Sequence, residues 1–289
     1  MIAQINDFFG NSQASQFGVE NGLPNYTGPD EFSYRRFILH YAKLAQLSGG
    51  VDRFVIGSEM RGLTTLRDGL DNYPAVDKLT QLASDVRTLL GPQTGITYAA
   101  DWSEYFGHHP NDNSGDIRFH LDPLWASSAI DAIGIDAYFP LSDWRENASH
   151  LDDHMADNQY DIDYLKAQME SGEGYDYFYA SQTDRDEQNR TAITDGAASK
   201  PWVYRYKDLR HWWSQPHYNR TDGIEEDIPT DWTPQSKPIW LMEIGCPAIH
   251  NGAHQPNVFF DAKSSETNIP YFLTARAMTS SRGAIWKPL

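Results

Sequence analysis

The sequence contains one cysteine, Cys246, in 289 residues. An intrachain disulfide framework and a cysteine-based zinc site are therefore excluded. No apolar run approaches the roughly 20 residues that a membrane-spanning helix requires. The N-terminus also lacks a basic region followed by a hydrophobic one, which is the pattern of a secretory signal. We therefore expect a soluble chain with no membrane insertion.

Basic residues are scarce, with 23 Lys and Arg against 40 Asp and Glu, so the formal net charge is −17. Such a surface repels phosphate backbones and anionic lipids, which disfavours a nucleic-acid partner and binding to an anionic membrane surface. The composition is nevertheless 40% hydrophobic and 13% aromatic, which argues against bulk disorder. The length is sufficient for one large domain or two small ones.

Internal repeats, glycine-rich phosphate loops and a G-x-S-x-G nucleophile motif are also absent from the sequence. We therefore predict neither a cofactor nor a metal site.

Short apolar segments alternate with amphipathic segments after a loop-like start over residues 1–32. Apolar runs bounded by turn signals predict strands at 53–57, 95–100, 130–135 and 238–243. Helical spacing of apolar residues predicts helices at 33–48, 76–90, 123–128 and 162–171. Weaker patterns predict a helix at 269–278 and a strand at 284–286.

This alternation is typical of an α/β fold with a parallel sheet. Polar or acidic side chains follow each predicted strand, as active-site residues do at the carboxyl ends of the strands in a TIM (β/α)8 barrel. They are Ser58 and Glu59 after the first strand, Asp101 and Trp102 after the second, Asp136 and Tyr138 after the third, and Glu243 at the end of the fourth.

The chain is short for a complete barrel. We predict a single domain over residues 1–289 that contains an insertion, rich in Asp, Tyr and Trp, at 141–237. The remaining 192 residues compare with about 250 in a typical full barrel. We therefore expect an incomplete TIM-barrel-like fold with a long excursion before its last confident strand.

Two of the strand-end residues, Glu59 and Glu243, form a candidate carboxylate pair. Glycoside hydrolysis needs one carboxyl to protonate the leaving oxygen and another to attack the sugar or activate water. Ordinary solvated residues at the rim of a sheet are the alternative interpretation of both positions.

The other candidate residues also have two interpretations. Asp101 and Asp136 are suited to hold sugar hydroxyls, or to cap helices and pair with cations. Tyr138 is suited to hydrogen-bond a nucleophile, or simply to pack. The remaining candidates would contact substrate in a cleft or serve only in packing and ion pairs; they are the rings Trp102, Tyr105 and Trp144 and the cation Arg205, for which Asp208 is a neighbouring ion-pair partner.

Three segments resemble the retaining glycosidases that carry the acid/base after barrel strand 4. Residues 54–59 (FVIGSE) resemble strand 4, residues 131–138 (DAIGIDAY) strand 6 and residues 238–245 (PIWLMEIG) strand 7. The resemblance implies that Glu59 is the acid/base and Glu243 the nucleophile, with retention of configuration. Those enzymes usually have Asn before the acid/base, where it contacts the sugar 2-hydroxyl; this chain has Ser58.

A more specific resemblance, over residues 8–271, is to the TIM-barrel-like domain of the baseplate hub (host specificity) protein of gene transfer agents and related phages. It is carried by the segments SYRRF (33–37), IGSEMRGLT (56–64), YAADWSEYFG (98–107), FHLDPLW (119–125), PLSDW (140–144), RYKDLR (205–210) and QPN (255–257).

That family resemblance implies a fragment of a longer tail protein. Barrel strands 1 to 3 would lie upstream of Met1, and this chain would hold strands 4 to 7 or 8. The implied location is a phage-like tail particle that is assembled in the bacterial cytoplasm and acts at the host envelope.

Two functional hypotheses follow. The first is a retaining O-glycoside hydrolase that cleaves an envelope polysaccharide such as peptidoglycan or capsule. The second is a non-catalytic module that binds glycan or holds the baseplate together. Other tail and baseplate proteins are expected partners in both.

Overall fold

The computed structural model describes residues 1–145, 149–263 and 267–270. The predicted helix at 269–278 lies outside the described residues from position 271 onward, and the predicted strand at 284–286 lies entirely outside them.

The elements follow one another in the order α1 (Ile2–Phe9), β1 (Phe17–Glu20), β2 (Leu23–Tyr26), α2 (Tyr34–Leu47), β3 (Arg53–Ser58), α3 (Arg61–Thr64), α4 (Pro74–Leu90), β4 (Gly95–Asp101), α5 (Asp122–Ala126), β5 (Ile133–Ala137), α6 (Ile162–Ala167), β6 (Tyr177–Phe178), α7 (Gln182–Glu187), β7 (Thr191–Ala192), α8 (Leu209–Ser214), β8 (Arg220–Thr221), β9 (Ile224–Glu225) and β10 (Ile239–Ile244). Short 3₁₀ turns occur at Ala14–Gln16, Gln168–Glu170, Gly196–Ala198, Pro201–Tyr204 and Gly252–His254.

The chain divides into two compact units. The first unit contains Met1–Asp136 and Trp213–Met242, and the second contains Ala137–Trp212 and the described residues from Glu243 onward.

The main sheet has four strands in the order β10–β5–β4–β3. β3 pairs in parallel with β4, and β4 pairs in parallel with β5. All five residues of β5 and the five central residues of β4 are buried, as expected for parallel strands that are covered on both faces. The predicted α/β class with a parallel sheet is therefore confirmed, while the described residues show four strands of this sheet rather than a closed ring of eight.

Helix α4 packs its apolar face into the first unit. Its buried residues recur every three to four positions, which places them on one side of the helix: Ala75, Val76, Leu79, Leu82, Ala83, Val86 and Leu89. The helix begins at Pro74, whose missing N–H costs nothing in the first turn. It ends at Leu90, and the following Gly91 adopts a φ of 75° that a residue with a Cβ disfavours.

The loop-like start predicted for residues 1–32 is wrong. This segment forms helix α1 and the antiparallel hairpin of β1 and β2. The apolar residues that hold these elements are few and spaced irregularly, with Ile5, Phe9 and Phe17 buried. Their burial comes from tertiary packing, which the local pattern did not reveal.

The four predicted sheet strands are confirmed, with the third shifted from 130–135 to Ile133–Ala137. Within the predicted insertion, the helix at 162–171 ends early at Ala167 and continues as a 3₁₀ turn over Gln168–Glu170. The prediction of a single domain with an insertion at 141–237 stays a prediction.

The second unit contains a buried polar network around Asp143, whose side chain is 4% exposed. Its carboxylate accepts hydrogen bonds from Arg145 Nη2 at 2.8 Å, Arg190 Nη2 at 2.6 Å and Tyr179 Oη at 2.6 Å. Burial opposes ionisation of this carboxyl. The hydrogen bond from Tyr179 and the two guanidinium charges outweigh that effect, so the pKa of Asp143 lies below its ordinary value.

We expect Asp143→Asn to lower the free energy of unfolding by about 3 kcal/mol at pH 7, because it leaves the buried Arg145 guanidinium without its carboxylate partner and removes one of the two carboxylates that Arg190 contacts. A folded-state pKa below the unfolded one stabilises the protein above the unfolded pKa, and this stabilisation is lost as pH falls through the folded value. The difference in the free energy of unfolding between Asp143→Asn and the wild type should therefore become smaller below about pH 4. Urea denaturation at several pH values measures it.

The exposed Asp157 provides a control, since Asp157→Asn removes the same charge away from this network. Equal losses of unfolding free energy in Asp143→Asn and Asp157→Asn would contradict the structural role of Asp143.

Candidate functional site

Glu59 directly follows β3, where the strand carries one extra residue. Val55 pairs with Thr97 and Ser58 with Ala99, so three steps along β3 match two along β4. Such a bulge redirects the side chains that follow it. Glu59 is exposed and has a φ of 51°, in the left-handed region that residues with a Cβ disfavour. Backbone strain of this kind persists only where the surroundings enforce it, and it is concentrated at functional sites.

Hydrogen bonds hold the backbone on both sides of Glu59. The Glu59 N–H donates to the Ala99 carbonyl at 2.8 Å. The preceding Ser58 hydroxyl donates to Asp136 Oδ2 at 3.0 Å, and the following Met60 N–H donates to Tyr98 Oη at 2.7 Å. The structure thus brings together two sequence-predicted residues, Ser58 and Asp136, at the carboxyl ends of β3 and β5.

Gly57 allows a close approach just before this turn. A Cβ at position 57 would lie 2.7 Å from Tyr34 Oη, which itself donates to the Ile56 carbonyl at 2.7 Å. The Tyr34 side chain, from the first residue of α2, therefore reaches the end of β3, and a side chain at position 57 would displace its hydroxyl.

The three candidates after β4 have distinct environments. Asp101 accepts hydrogen bonds from the Ser103 N–H, at 2.8 Å, and from the Ser103 hydroxyl, which shapes the turn that leaves the strand. Trp102 is half-buried, whereas Tyr105 is only 2% exposed and its ring belongs to the core of the first unit.

Glu104, which the sequence analysis did not select, is fully buried beside these residues. It accepts hydrogen bonds from the Thr64 hydroxyl and from Tyr98 Oη. Burial nevertheless raises its pKa to about 7, because these partners carry no positive charge. The sequence signal is faint: Glu104 stands in a polar turn, and its burial results from contacts with Thr64 and Tyr98.

Glu243 lies in β10, is exposed, and belongs to the second unit together with Tyr138. The Tyr138 hydroxyl donates to Glu243 Oε2 at 2.7 Å, so of the two interpretations of Tyr138 the structure shows a hydrogen bond. The role of Glu243 as a nucleophile stays a prediction.

Two further candidates in the second unit have protein partners. Trp144 packs edge-on against His150, with ring centroids 4.5 Å apart. Arg205 pairs with Asp208 at 3.5 Å, and its guanidinium carbon lies 4.5 Å from the centroid of the Tyr175 ring. The ion-pair interpretation of Arg205 is therefore the one that the structure shows.

Within residues 1–145, 149–263 and 267–270, no group of three or more His, Cys, Asp or Glu side chains is arranged to hold a metal ion. Among the helices in the part of the chain that the structure describes, none is both long and apolar enough to span a bilayer.

The described residues thus form a four-stranded sheet of the α/β class with candidate carboxylates at strand ends. The family model of the GTA TIM-barrel-like domain matches residues 32–284, so the chain belongs to this family of gene-transfer-agent domains. Membership makes the chain a component of a phage-like particle. No curated protein matches the chain.

The positive φ of Glu59 should strain any residue with a Cβ at this position, which stability measurements can test. We expect Glu59→Gly to unfold with a free energy about 1 kcal/mol higher than Glu59→Ala, because only glycine adopts this φ without strain. The alanine variant is the matched control, since it also removes the carboxylate but keeps the Cβ. Urea denaturation measures both, and a glycine variant no more stable than the alanine variant would contradict the strain.

Proposed function

We propose that this domain is a retaining glycoside hydrolase that acts on a bacterial envelope polysaccharide, such as peptidoglycan or capsule, for a gene-transfer-agent tail. The observation that carries the proposal is an exposed glutamate at the end of each edge strand of the sheet, Glu59 after β3 and Glu243 in β10. Hydrolysis with retention requires an acid/base and a nucleophile, the roles that the sequence resemblance assigns to these two residues.

The local environments support these roles. Glu59 stands exposed on a strained turn that hydrogen bonds hold on both sides, which suits a group that meets substrate repeatedly in one orientation. Glu243 accepts a hydrogen bond from the Tyr138 hydroxyl at 2.7 Å, which holds one carboxylate oxygen and suits a group that must be oriented to attack the anomeric carbon.

Ser58 favours the second candidate function, a non-catalytic module that binds glycan or holds the baseplate together. The glycosidases that this chain resembles use Asn at this position to contact the sugar 2-hydroxyl. Here the Ser58 hydroxyl donates its one proton to Asp136, which leaves it no proton for the sugar in this arrangement. The partners in either case are the polysaccharide and neighbouring tail proteins.

Hydrolysis of purified peptidoglycan and capsule, measured by release of reducing ends, tests the proposal. We expect Glu59→Gln and Glu243→Gln each to lower the rate at least about 100-fold, the range for loss of one positioned acid, base or nucleophile. Glu20→Gln, which removes an exposed carboxylate at the end of β1, is the control. Binding of glycan without turnover in the wild type would favour the non-catalytic module.

The double variant tests whether the two carboxylates act together. If they serve one reaction, the Glu59→Gln, Glu243→Gln double variant should be about as slow as the slower single variant, because groups that act as a unit are not additive. A rate loss in the double variant equal to the product of the two single losses would indicate independent roles and contradict the paired mechanism.

A retaining mechanism passes through a glycosyl ester on the nucleophile. A fluorinated glycoside that slows hydrolysis of this ester should add the mass of one sugar to the peptide that contains Glu243. A labelled peptide elsewhere in the chain would overturn the assignment of Glu243.

A further inference from the structure

Glu104 is a fully buried carboxyl for which the proposed reaction has no direct use. It lies within the first unit, between Thr64 of α3 and Tyr98 of β4. A buried carboxyl without a cationic partner is costly, so its retention in this position calls for a physical explanation.

The Glu104 carboxyl is the acceptor in its hydrogen bonds with the surrounding donors. The Tyr98 hydroxyl lies 3.0 Å from Oε1 and 3.2 Å from Oε2, the Asp101 N–H donates at 3.2 Å, and the Thr64 hydroxyl completes the set. This arrangement matches an ionised carboxylate, which accepts at both oxygens and donates nothing.

Tyr98 extends these contacts to the turn that carries Glu59. Its hydroxyl oxygen accepts the Met60 N–H at 2.7 Å while its proton points to Glu104. Thr64 lies in the short helix α3, which begins one residue after Met60. The Glu104 carboxyl is therefore connected to both ends of residues 60–64, to Met60 through Tyr98 and to Thr64 directly.

We propose that Glu104 is a positioning residue that holds the Glu59 turn through Tyr98 and Met60, and that protonation of Glu104 loosens the turn. Only the consequence for hydrolysis rests on the proposed function; the positioning itself does not.

The loosening follows from hydrogen-bond directions. A protonated Glu104 must place its own O–H against an acceptor, and the neighbouring oxygens are hydroxyls that already donate to it. If the Tyr98 oxygen accepts a hydrogen bond from the protonated carboxyl, the Tyr98 O–H no longer donates to a carboxylate. The hydrogen bond from the Met60 N–H to Tyr98 then weakens, because no charged group polarises this series of hydrogen bonds.

The change falls near neutral pH, since burial raises the pKa of Glu104 to about 7. The titratable groups around it are Asp101 at the end of β4, whose negative charge also raises this pKa, and Tyr98 on the same strand. Tyr34 on α2 interacts in turn with Tyr98. Burial raises the pKa values of Tyr98 and Tyr34 above their ordinary value, which already lies well above neutral pH. The pKa that burial brings into the neutral range is that of Glu104.

Hydrogen exchange of the Met60 amide in the full chain tests the proposal without requiring activity. We expect Glu104→Gln to speed this exchange about tenfold, in line with the loss of one good hydrogen bond. In the wild type, protection corrected for intrinsic base catalysis should rise as pH passes from 6 to 8, around the pKa of about 7. In the variant it should stay flat.

Tyr98→Phe is the second variant. It keeps the ring and removes the hydroxyl that joins Met60 to Glu104, so it should speed Met60 exchange and remove its dependence on pH between 6 and 8. Comparison with the wild-type pH profile therefore tests the proposal even if Glu104→Gln does not fold. Glu20→Gln changes the same charge on β1 and should leave Met60 unchanged. Unaltered Met60 protection in Tyr98→Phe would overturn the proposal.

The hydrolysis assay separates this proposal from the proposed function. In an active wild type, Glu104→Gln should lower kcat more than it changes KM and remove a rate change near pH 7. Faster Met60 exchange in a chain that hydrolyses no glycan supports the positioning role and overturns only the hydrolase. Hydrolysis that needs Glu59, together with unaltered Met60 exchange, overturns the positioning role alone.

Discussion

The pairing of β3 with β4, with one extra residue on β3, is the constraint on which the first unit's candidate site depends. The bulge places Glu59 past the end of the strand while its N–H still reaches the Ala99 carbonyl. The same geometry brings Ser58 within reach of Asp136 and the Met60 N–H within reach of Tyr98. Without the extra residue, each side chain after position 55 would lie on the opposite face of the sheet.

Two buried carboxyls show how this acidic chain handles negative charge inside its fold. Asp143 is surrounded by guanidinium groups and hydroxyls, so it stays ionised and its pKa is lowered. Glu104 has hydroxyl and amide donors but no cation, so desolvation prevails and its pKa rises to about 7. A buried carboxyl is thus ionised at neutral pH in one unit and titrates near neutral pH in the other, and the difference is the presence of arginine.

Family membership and site chemistry bear on different questions. The match over residues 32–284 identifies a gene-transfer-agent domain, whereas catalysis depends on particular groups and their environments. The proposed roles of Glu59 and Glu243 rest on two exposed carboxylates at strand ends, while Ser58 departs from the pattern of the glycosidases that the chain resembles.

The sequence by itself determined the parallel strands, the long amphipathic helix α4 and the position of each candidate carboxylate, because apolar periodicity and turn residues are local signals. It predicted a loop where α1 and the β1–β2 hairpin form, and it did not reveal Glu104. Only the tertiary structure decided those features, along with the left-handed backbone of Glu59. The burial of Ile5 and Phe9, the bulge in β3 and the raised pKa of Glu104 all arise from contacts between segments distant in the chain, which no local pattern encodes.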